Sequence, residues 1–261
     1  IVSSITDEQE LIRNGYTLFP KALSLNAYQY MFKSSNKIIS AYGITILSTV
    51  VGTVCGLSMT ILMAYPLSRR DLPGRNGLAF YVFFTMLFGG GLIPTYMVVK
   101  MFGLIDSLWS MVIPGMVSAW NMFIMRNFFY SIPESLEEAA LIDGANQAQI
   151  MIRVTLPLSK AVLATIGLFY AVGHWNSWFD AMLYINTSTK LPMQNILRNI
   201  INSVSDLEAL GSKQFELMDV KPASTSLRCA VIVITATPII VVYPFVQKYF
   251  VKGVMIGSVK G

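Results

Sequence analysis

Residues 131–145 read Ser131-Ile-Pro-Glu-Ser-Leu-Glu-Glu-Ala-Ala-Leu-Ile-Asp-Gly-Ala145, a polar stretch between two long apolar regions. Pro133 is followed closely by acidic residues, which is typical of a helix start because carboxylates stabilise the positive end of a helix. These acidic residues are Glu134, Glu137 and Glu138. The pattern predicts a short helix that begins here.

The second half of this stretch predicts a turn and another helical piece. Ala139 and Ala140 leave a low surface that another protein can approach closely. Gly144 permits a sharp turn into a helical piece at Gln147–Val154, which stops near Pro157. The sequence therefore predicts a compact helix-turn-helix knob, with an ordinary hairpin between two membrane spans as the alternative.

The composition is that of a membrane protein. Hydrophobic residues make up 54% of the 261 residues and charged residues 13%, with a mean hydropathy of +0.57. The 19 Lys and Arg residues are spread over loops, which argues against nucleic-acid binding. Cys55 and Cys229 lie in apolar stretches without metal-ligand spacing, so we interpret both as packing residues.

Five apolar stretches are long enough, or nearly long enough, to cross a membrane as helices. A crossing of about 30 Å needs about 20 helical residues. The stretches are Ile38–Leu67, Gly77–Val99, Ser107–Met125, Ala161–Ile185 and Cys229–Gln247. They predict an all-α, polytopic membrane helical bundle.

Basic residues set the predicted orientation. The turn at 68–76 holds Arg69, Arg70 and Arg75, whereas the next short loop holds only Lys100, so the first turn is predicted to be cytoplasmic. Alternation then places the 126–160 loop and the tail after Gln247 in the cytoplasm. Segments 1–37 and 186–228 fall outside, and residues 38–261 form the membrane domain.

Glycine and proline interrupt two of the predicted spans. Gly89-Gly90-Gly91 and Pro94 lie in the second stretch and Pro114 in the third, so both helices are predicted to be kinked or broken. The break is either tolerated local kinking or part of the flexible wall of a translocation path.

An amphipathic helix is predicted in the outer loop. Its apolar residues repeat at helical spacing, with polar residues such as Asn195 and Arg198 between them. The apolar set is Met193, Ile196, Leu197, Ile200, Ile201 and Val204. This helix either caps the translocation path or rests against neighbouring helices.

The knob closely resembles the EAA loop of ABC importer permeases. Glu138-Ala139-Ala140, Gly144 and Val154-Thr155-Leu156-Pro157 carry this resemblance, with Val154 where the family commonly has isoleucine. Further stretches are similar to MalG-type carbohydrate permeases over nearly the whole chain. They include Tyr65-Pro-Leu-Ser-Arg69, Gly91-Leu-Ile-Pro-Thr-Tyr96, Gly103-Leu-Ile-Asp-Ser-Leu108 and Trp175-Asn176. The C-terminal residues 249–261 resemble a branch that serves oligosaccharides or polysaccharide fragments.

This resemblance implies the type I ABC importer permease fold, also called MetI-like. Family members normally begin with one further span, so we expect a sixth helix before residue 1. In the family the loop is a coupling helix that sits in a groove of the ATPase subunit. The residues carried over to this role are Glu138, Ala139, Ala140, Asp143, Gly144, Leu156 and Pro157.

The resemblance also implies the partners. They are a second homologous permease, two ATPase subunits and an extracytoplasmic sugar-binding protein, in the bacterial cytoplasmic membrane. This chain has no Walker-type phosphate loop, so ATP and Mg²⁺ are expected on the partner ATPase and the chain itself is not expected to be an enzyme.

Polar residues in the predicted spans are candidates for the substrate path. In the fourth span, Asn176 and Asp180 share one helical face, while His174 and Trp178 share another. Such a cluster suits a sugar, but it equally suits hydrogen bonds between two permeases and an aromatic belt. Trp120 and Asn121 in the third span are weaker candidates.

Rival functions remain open from the sequence. A stand-alone secondary transporter also needs kinked spans but does not explain the EAA-type loop. An ABC permease for a non-sugar solute shares that loop, and a membrane scaffold predicts no ATPase partner. The sequence leaves both neutral and acidic oligosaccharides as substrates.

Overall fold

The computed structural model describes residues 1–33, 35–199, 202 and 225–258. Within these ranges it is helical, with one isolated β-bridge between Thr6 and Leu23. The α-helices in chain order are α1 (Glu8–Asn14), α2 (Asn26–Lys33), α3 (Ser35–Ser68), α4 (Arg75–Leu87), α5 (Leu92–Met101), α6 (Ala119–Tyr130), α7 (Glu134–Ile142), α8 (Gln147–Ile150), α9 (Leu156–Leu158), α10 (Lys160–Trp175), α11 (Phe179–Tyr184), α12 (193–199) and α13 (Thr225–Ser258). Short 3-10 turns cover Val2–Ile5, Leu108–Met111 and Ser188–Lys190, and a π-helical run covers Met151–Thr155.

The first predicted span is one long helix, and the second is broken as expected. Among the described residues, Lys37–Ser68 is the one helix long and apolar enough to cross a membrane, and up to three crossings result if each bent helix pair counts as one. The chain bends by 114° between α4 and α5, and Gly91 between them has a φ of +86°. Pro94 lies in the first turn of α5, where its missing N–H costs no hydrogen bond, so the glycines cause the break.

The third predicted span is not a continuous helix. The stretch Ser107–Met125 contains a 3-10 turn at Leu108–Met111, turns around Pro114 and then the first part of α6. A proline inside a helix removes one hydrogen bond and clashes with the preceding turn, which accounts for the interruption. The fourth stretch is also divided, because α10 ends at Trp175 and α11 begins at Phe179.

The chain divides into two compact units, of which one comprises residues 48–175 and 243–261. Its apolar core contains Ala64, Tyr65, Leu67, Val82, Met122, Met125, Phe129, Val162, Ile166 and Tyr170. The Tyr170 hydroxyl accepts a hydrogen bond from the Ser118 backbone N–H (2.9 Å) and shares another with Thr60 Oγ1 (2.7 Å). Tyr170 thus links α3, α10 and the start of α6.

The other unit comprises residues 1–47 and 176–242. Its core joins Ile38 and Ala41 of α3, Met193 of α12, and Leu227, Ala230 and Val231 of α13, together with Ala27. Ile196 and Leu197 pack against this core, so the described part of the amphipathic helix rests on its neighbours. Its other predicted apolar residues, Ile200, Ile201 and Val204, lie outside the described residues.

Candidate coupling site and substrate path

Helix α7 begins where the sequence predicts it. Pro133 occupies the N-cap position, and Glu134 and Glu137 lie in the first turn, where their carboxylates oppose the positive helix end. None of the nine residues of α7 is buried. A helix this short gains little from its own hydrogen bonds, so side-chain contacts must hold it in place.

A glycine-dependent cap ends α7. Gly144 has a φ of +80°, its N–H donates to the Leu141 carbonyl (3.0 Å), and the Ala145 N–H donates to the Ala140 carbonyl (2.9 Å). This is the Schellman arrangement, in which a left-handed residue satisfies the last carbonyls of a helix. The predicted sharp turn at Gly144 is confirmed.

The second half of the knob starts with a capping box and ends in a bend. Asn146 and Gln149 exchange side-chain to backbone hydrogen bonds, each of 2.9 Å. Helical structure then runs through the π-helical segment to Leu158, past the predicted end at Val154. At Ser159 the chain turns by 84° into α10, which agrees with a stop near Pro157.

Two ion pairs fasten α7 to the basic turn that follows α3. Arg69 pairs with Glu137, and the two side chains are 17% and 14% exposed. Arg70 pairs with Glu134 at 2.8 Å, but both side chains are more than half exposed. Removing one partner of a buried pair costs about 3–5 kcal/mol at full burial, whereas an exposed pair contributes about 0–1 kcal/mol. The Arg69–Glu137 pair is therefore the better shielded of the two attachments.

Other bonds join the C-terminal end of α3 to the same region. The Tyr65 hydroxyl donates to Gln147 Oε1 at 3.0 Å, and Arg126 Nε donates to the Leu67 carbonyl at 2.8 Å. Sequence reasoning assigned the basic turn to orientation alone and missed these contacts. The signal available was the Tyr65-Pro-Leu-Ser-Arg69 stretch, which contains two of the residues involved.

The predicted coupling residues mostly lie on the exposed side of the knob. Glu138, Ala139, Asp143, Gly144 and Pro157 are exposed, and Ala140 is half-buried. Leu156 is also half-buried and packs against the core of its unit. Helix α7 also exposes large apolar side chains that sequence reasoning did not single out, namely Leu136, Leu141 and Ile142, the last 87% exposed.

Three of the predicted path residues lie in the unit that contains the knob. Trp120 is exposed at the start of α6, and Asn121 beside it is buried. His174 approaches Gly52 of α3 so closely that a Cβ at Gly52 would lie 2.4 Å from its Nε2. The lone histidine therefore occupies a space that a glycine leaves open between α3 and α10.

The other three path residues lie in the second unit, around the break between α10 and α11. Asn176 Oδ1 accepts from Gln194 Nε2 (3.1 Å), and the Trp178 carbonyl accepts from Asn195 Nδ2 (3.0 Å). The Arg198 guanidinium lies 3.6 Å from the centre of the Trp178 ring, a cation–π contact. Asp180 is half-buried in the first turn of α11. Sequence reasoning placed Arg198 only on the polar face of α12.

The sequence model for the family described as "binding-protein-dependent transport system inner membrane component" matches residues 56–256. The chain belongs to this family. It is therefore an inner membrane transport subunit and not an enzyme, and the resemblance drawn from the EAA-type loop is confirmed. Systems of this kind combine a partner permease, an ATPase and a binding protein with such a subunit.

Individual relatives agree with this assignment. Protein LplC of Bacillus subtilis is 46% identical over the whole of this permease and 87% of its own length. The polygalacturonan/rhamnogalacturonan transport system permease protein YtcP of the same organism is 44% identical over the whole permease and 90% of its own length. A chain in the crystal structure of a bacterial ABC transporter that imports the acidic polysaccharide alginate is 34% identical, with a TM-score of 0.85 over 95% of this permease and 88% of that chain. The MetI-like fold is confirmed.

Proposed function

We propose that this permease moves an acidic oligosaccharide inward across the cytoplasmic membrane and that α7 is the element through which an ATPase drives it. The observation that carries the proposal is a short helix with no buried residue, held at its base by ion pairs and exposing an apolar tip. Exposed apolar side chains on a rigidly held helix suit a protein contact rather than a solvated loop.

The proposed assembly follows the family. It comprises this permease, a second homologous permease, two ATPase subunits that bind ATP and Mg²⁺, and an extracytoplasmic sugar-binding protein. Purification of the tagged permease from its native membrane in mild detergent, followed by mass spectrometry, tests this composition. Recovery of all three partner types is expected, whereas recovery of this chain alone from intact membranes would favour a secondary transporter.

The relatives support the proposed substrate class. Those named for acidic polysaccharides are 44% and 34% identical, whereas the arabinooligosaccharide permease AraQ of Halalkalibacterium halodurans is 24% identical. An exposed cation beside a predicted path residue supports the same class, because Arg198 presents a guanidinium beside the aromatic face of Trp178. A guanidinium binds carboxylates through paired hydrogen bonds.

Replacing Arg198 by glutamine is expected to raise KM for uptake of trigalacturonate about tenfold, since hydrogen bonds to charged groups contribute about 1.5–3 kcal/mol. Uptake kinetics in proteoliposomes containing the complete transporter measure this. Arg13→Gln is the matched control, because Arg13 is exposed on α1, outside the Trp178 cluster. Equal KM values for the Arg198 variant and the unmodified transporter would exclude Arg198 from substrate binding.

A further inference from the structure

The attachment of α7 to α3 has a mechanical consequence. We propose that the Arg69–Glu137 ion pair is a latch that makes α7 and the cytoplasmic end of α3 move as one body when the ATPase closes. Arg69 and Glu137 are then positioning residues for transport. This inference rests on the proposed contact between α7 and the ATPase.

The first argument concerns what holds α7. Because no residue of α7 is buried, apolar packing does not fix its position, and the attachment depends on polar contacts. The Arg69–Glu137 pair lies at the base of α7 and is largely shielded from water. The Arg70–Glu134 pair lies one turn earlier on the same helix and is exposed, so water and salt weaken it. The two pairs thus differ in burial, and Arg69 also lies 3.5 Å from the exposed carboxylate of Asp71.

The second argument concerns how a displacement of α7 is transmitted to α3. Arg69 follows the last residue of α3 directly, and Tyr65 in the last turn of α3 bonds Gln147 at the start of α8. Both halves of the knob are therefore bonded to the same end of α3. Within this unit α3 runs from Ser48 to Ser68, a length of about 30 Å at 1.5 Å per residue, with Pro66 in its last turn. A continuous helix transmits a displacement along its axis, whereas a loop absorbs it.

The third argument is that α6 is bonded to the same end of α3. Arg126 near the end of α6 donates to the Leu67 carbonyl of α3, and Tyr130 lies beneath the guanidinium groups of Arg70 and Arg75 at 5.1 and 5.8 Å. The end of α3 is thus bonded to α6 as well as to both parts of the knob. Loss of the buried ion pair would free α7 while the contact between α3 and α6 persists.

Spin labels test the latch without depending on the substrate. In the complete transporter, with both native cysteines replaced by alanine, labels are placed at the exposed positions Val50 of α3 and Ser135 of α7. The distance between the labels is measured with and without MgATP and vanadate. With intact Arg69 and Glu137, we expect the same narrow distribution of label distances with and without nucleotide. In Arg69→Gln the distribution should shift when nucleotide is added. In the charge swap Arg69→Glu with Glu137→Arg it should again be the same in both conditions.

The controls separate the latch from a general folding defect. In Arg70→Gln, which removes the exposed pair, the label distance is expected to stay the same with and without nucleotide. Trigalacturonate uptake per ATP hydrolysed is expected to fall about tenfold in Arg69→Gln, within the usual range of coupling between two sites, and to recover in the charge swap. A merely structural role would lower the yield of the complex without changing this ratio.

Two results would overturn the latch. One is an unchanged label distance in Arg69→Gln, and the other is a charge swap that remains as defective as the single variant. Failure of the unmodified transporter to take up trigalacturonate would instead contradict the proposed substrate and leave the label measurement intact. Absence of the ATPase from the unmodified complex would contradict the proposed function itself.

Discussion

Gly144→Asp is expected to abolish import while the transporter still assembles. Gly144 has a φ of +80°, and a residue with a side chain in the left-handed region costs about 1–2 kcal/mol. The new carboxylate would also lie at the negative end of α7, beside Asp143, which is unfavourable for the helix dipole. The cap between α7 and α8 should therefore open, so that ATP hydrolysis continues without moving substrate. Uptake and ATP hydrolysis measured on the same proteoliposomes test this.

A second glycine gives a closely matched control. Gly103 ends α5 with a φ of +68° and the same pair of capping bonds, from its own N–H to Lys100 and from Leu104 to Val99. A Cβ meets no atom within 4 Å at either glycine, so neither substitution creates a clash. Gly103→Asp should therefore keep its ratio of uptake to ATP hydrolysis. Normal uptake by Gly144→Asp would contradict the role of the knob in coupling.

Gly56→Leu is expected to prevent correct packing of α3. A Cβ at Gly56 would lie 3.0 Å from the Met116 carbonyl oxygen and 3.0 Å from the ring of Tyr170. Backbone cannot yield as a flexible side chain can, and overpacking a close-packed site costs about 1–3 kcal/mol. The displaced Tyr170 would also lose its bonds to Thr60 and Ser118. The expected result is a lower thermal unfolding temperature and a reduced yield of monodisperse protein in detergent.

Gly43→Leu on the same helix serves as the control. Gly43 also lies within α3, but no atom lies within 4 Å of a Cβ built there. This variant adds the same side chain to the same helix without a clash, so its unfolding temperature should stay close to that of the unmodified protein. Equal unfolding temperatures for the Gly43 and Gly56 variants would show that close approach at Gly56 does not limit packing.

Local signals predicted much of the fold. The start of α7 follows from Pro133 and the acidic residues after it, and its end follows from Gly144, because each involves residues within one or two turns. The apolar run of α3 and the glycine break between α4 and α5 were equally local. The predicted third span is interrupted for a local reason as well, because Pro114 and the turns around it prevent a continuous helix there.

Contacts between distant residues could not be predicted in the same way. Tyr65 and Gln147 are 82 residues apart, and nothing in either local sequence pairs them. The basic turn was informative about orientation, but its pairing with Glu134 and Glu137 depends on how α3 and α7 pack. The contact of Arg198 with Trp178 depends in the same way on the position of α12 beside the α10–α11 break.

The most direct test of the central claim is photo-crosslinking from the tip of α7. A benzophenone amino acid replaces Ile142 in the complete transporter, and the captured chain is identified by mass spectrometry. Ile12 on α1, predicted to lie on the extracytoplasmic side, is also well exposed, at 75%, and serves as the control position. Capture of the ATPase from Ile142 and not from Ile12 is the result that coupling through α7 predicts. Absence of the ATPase from the Ile142 adducts of an intact complex would contradict it.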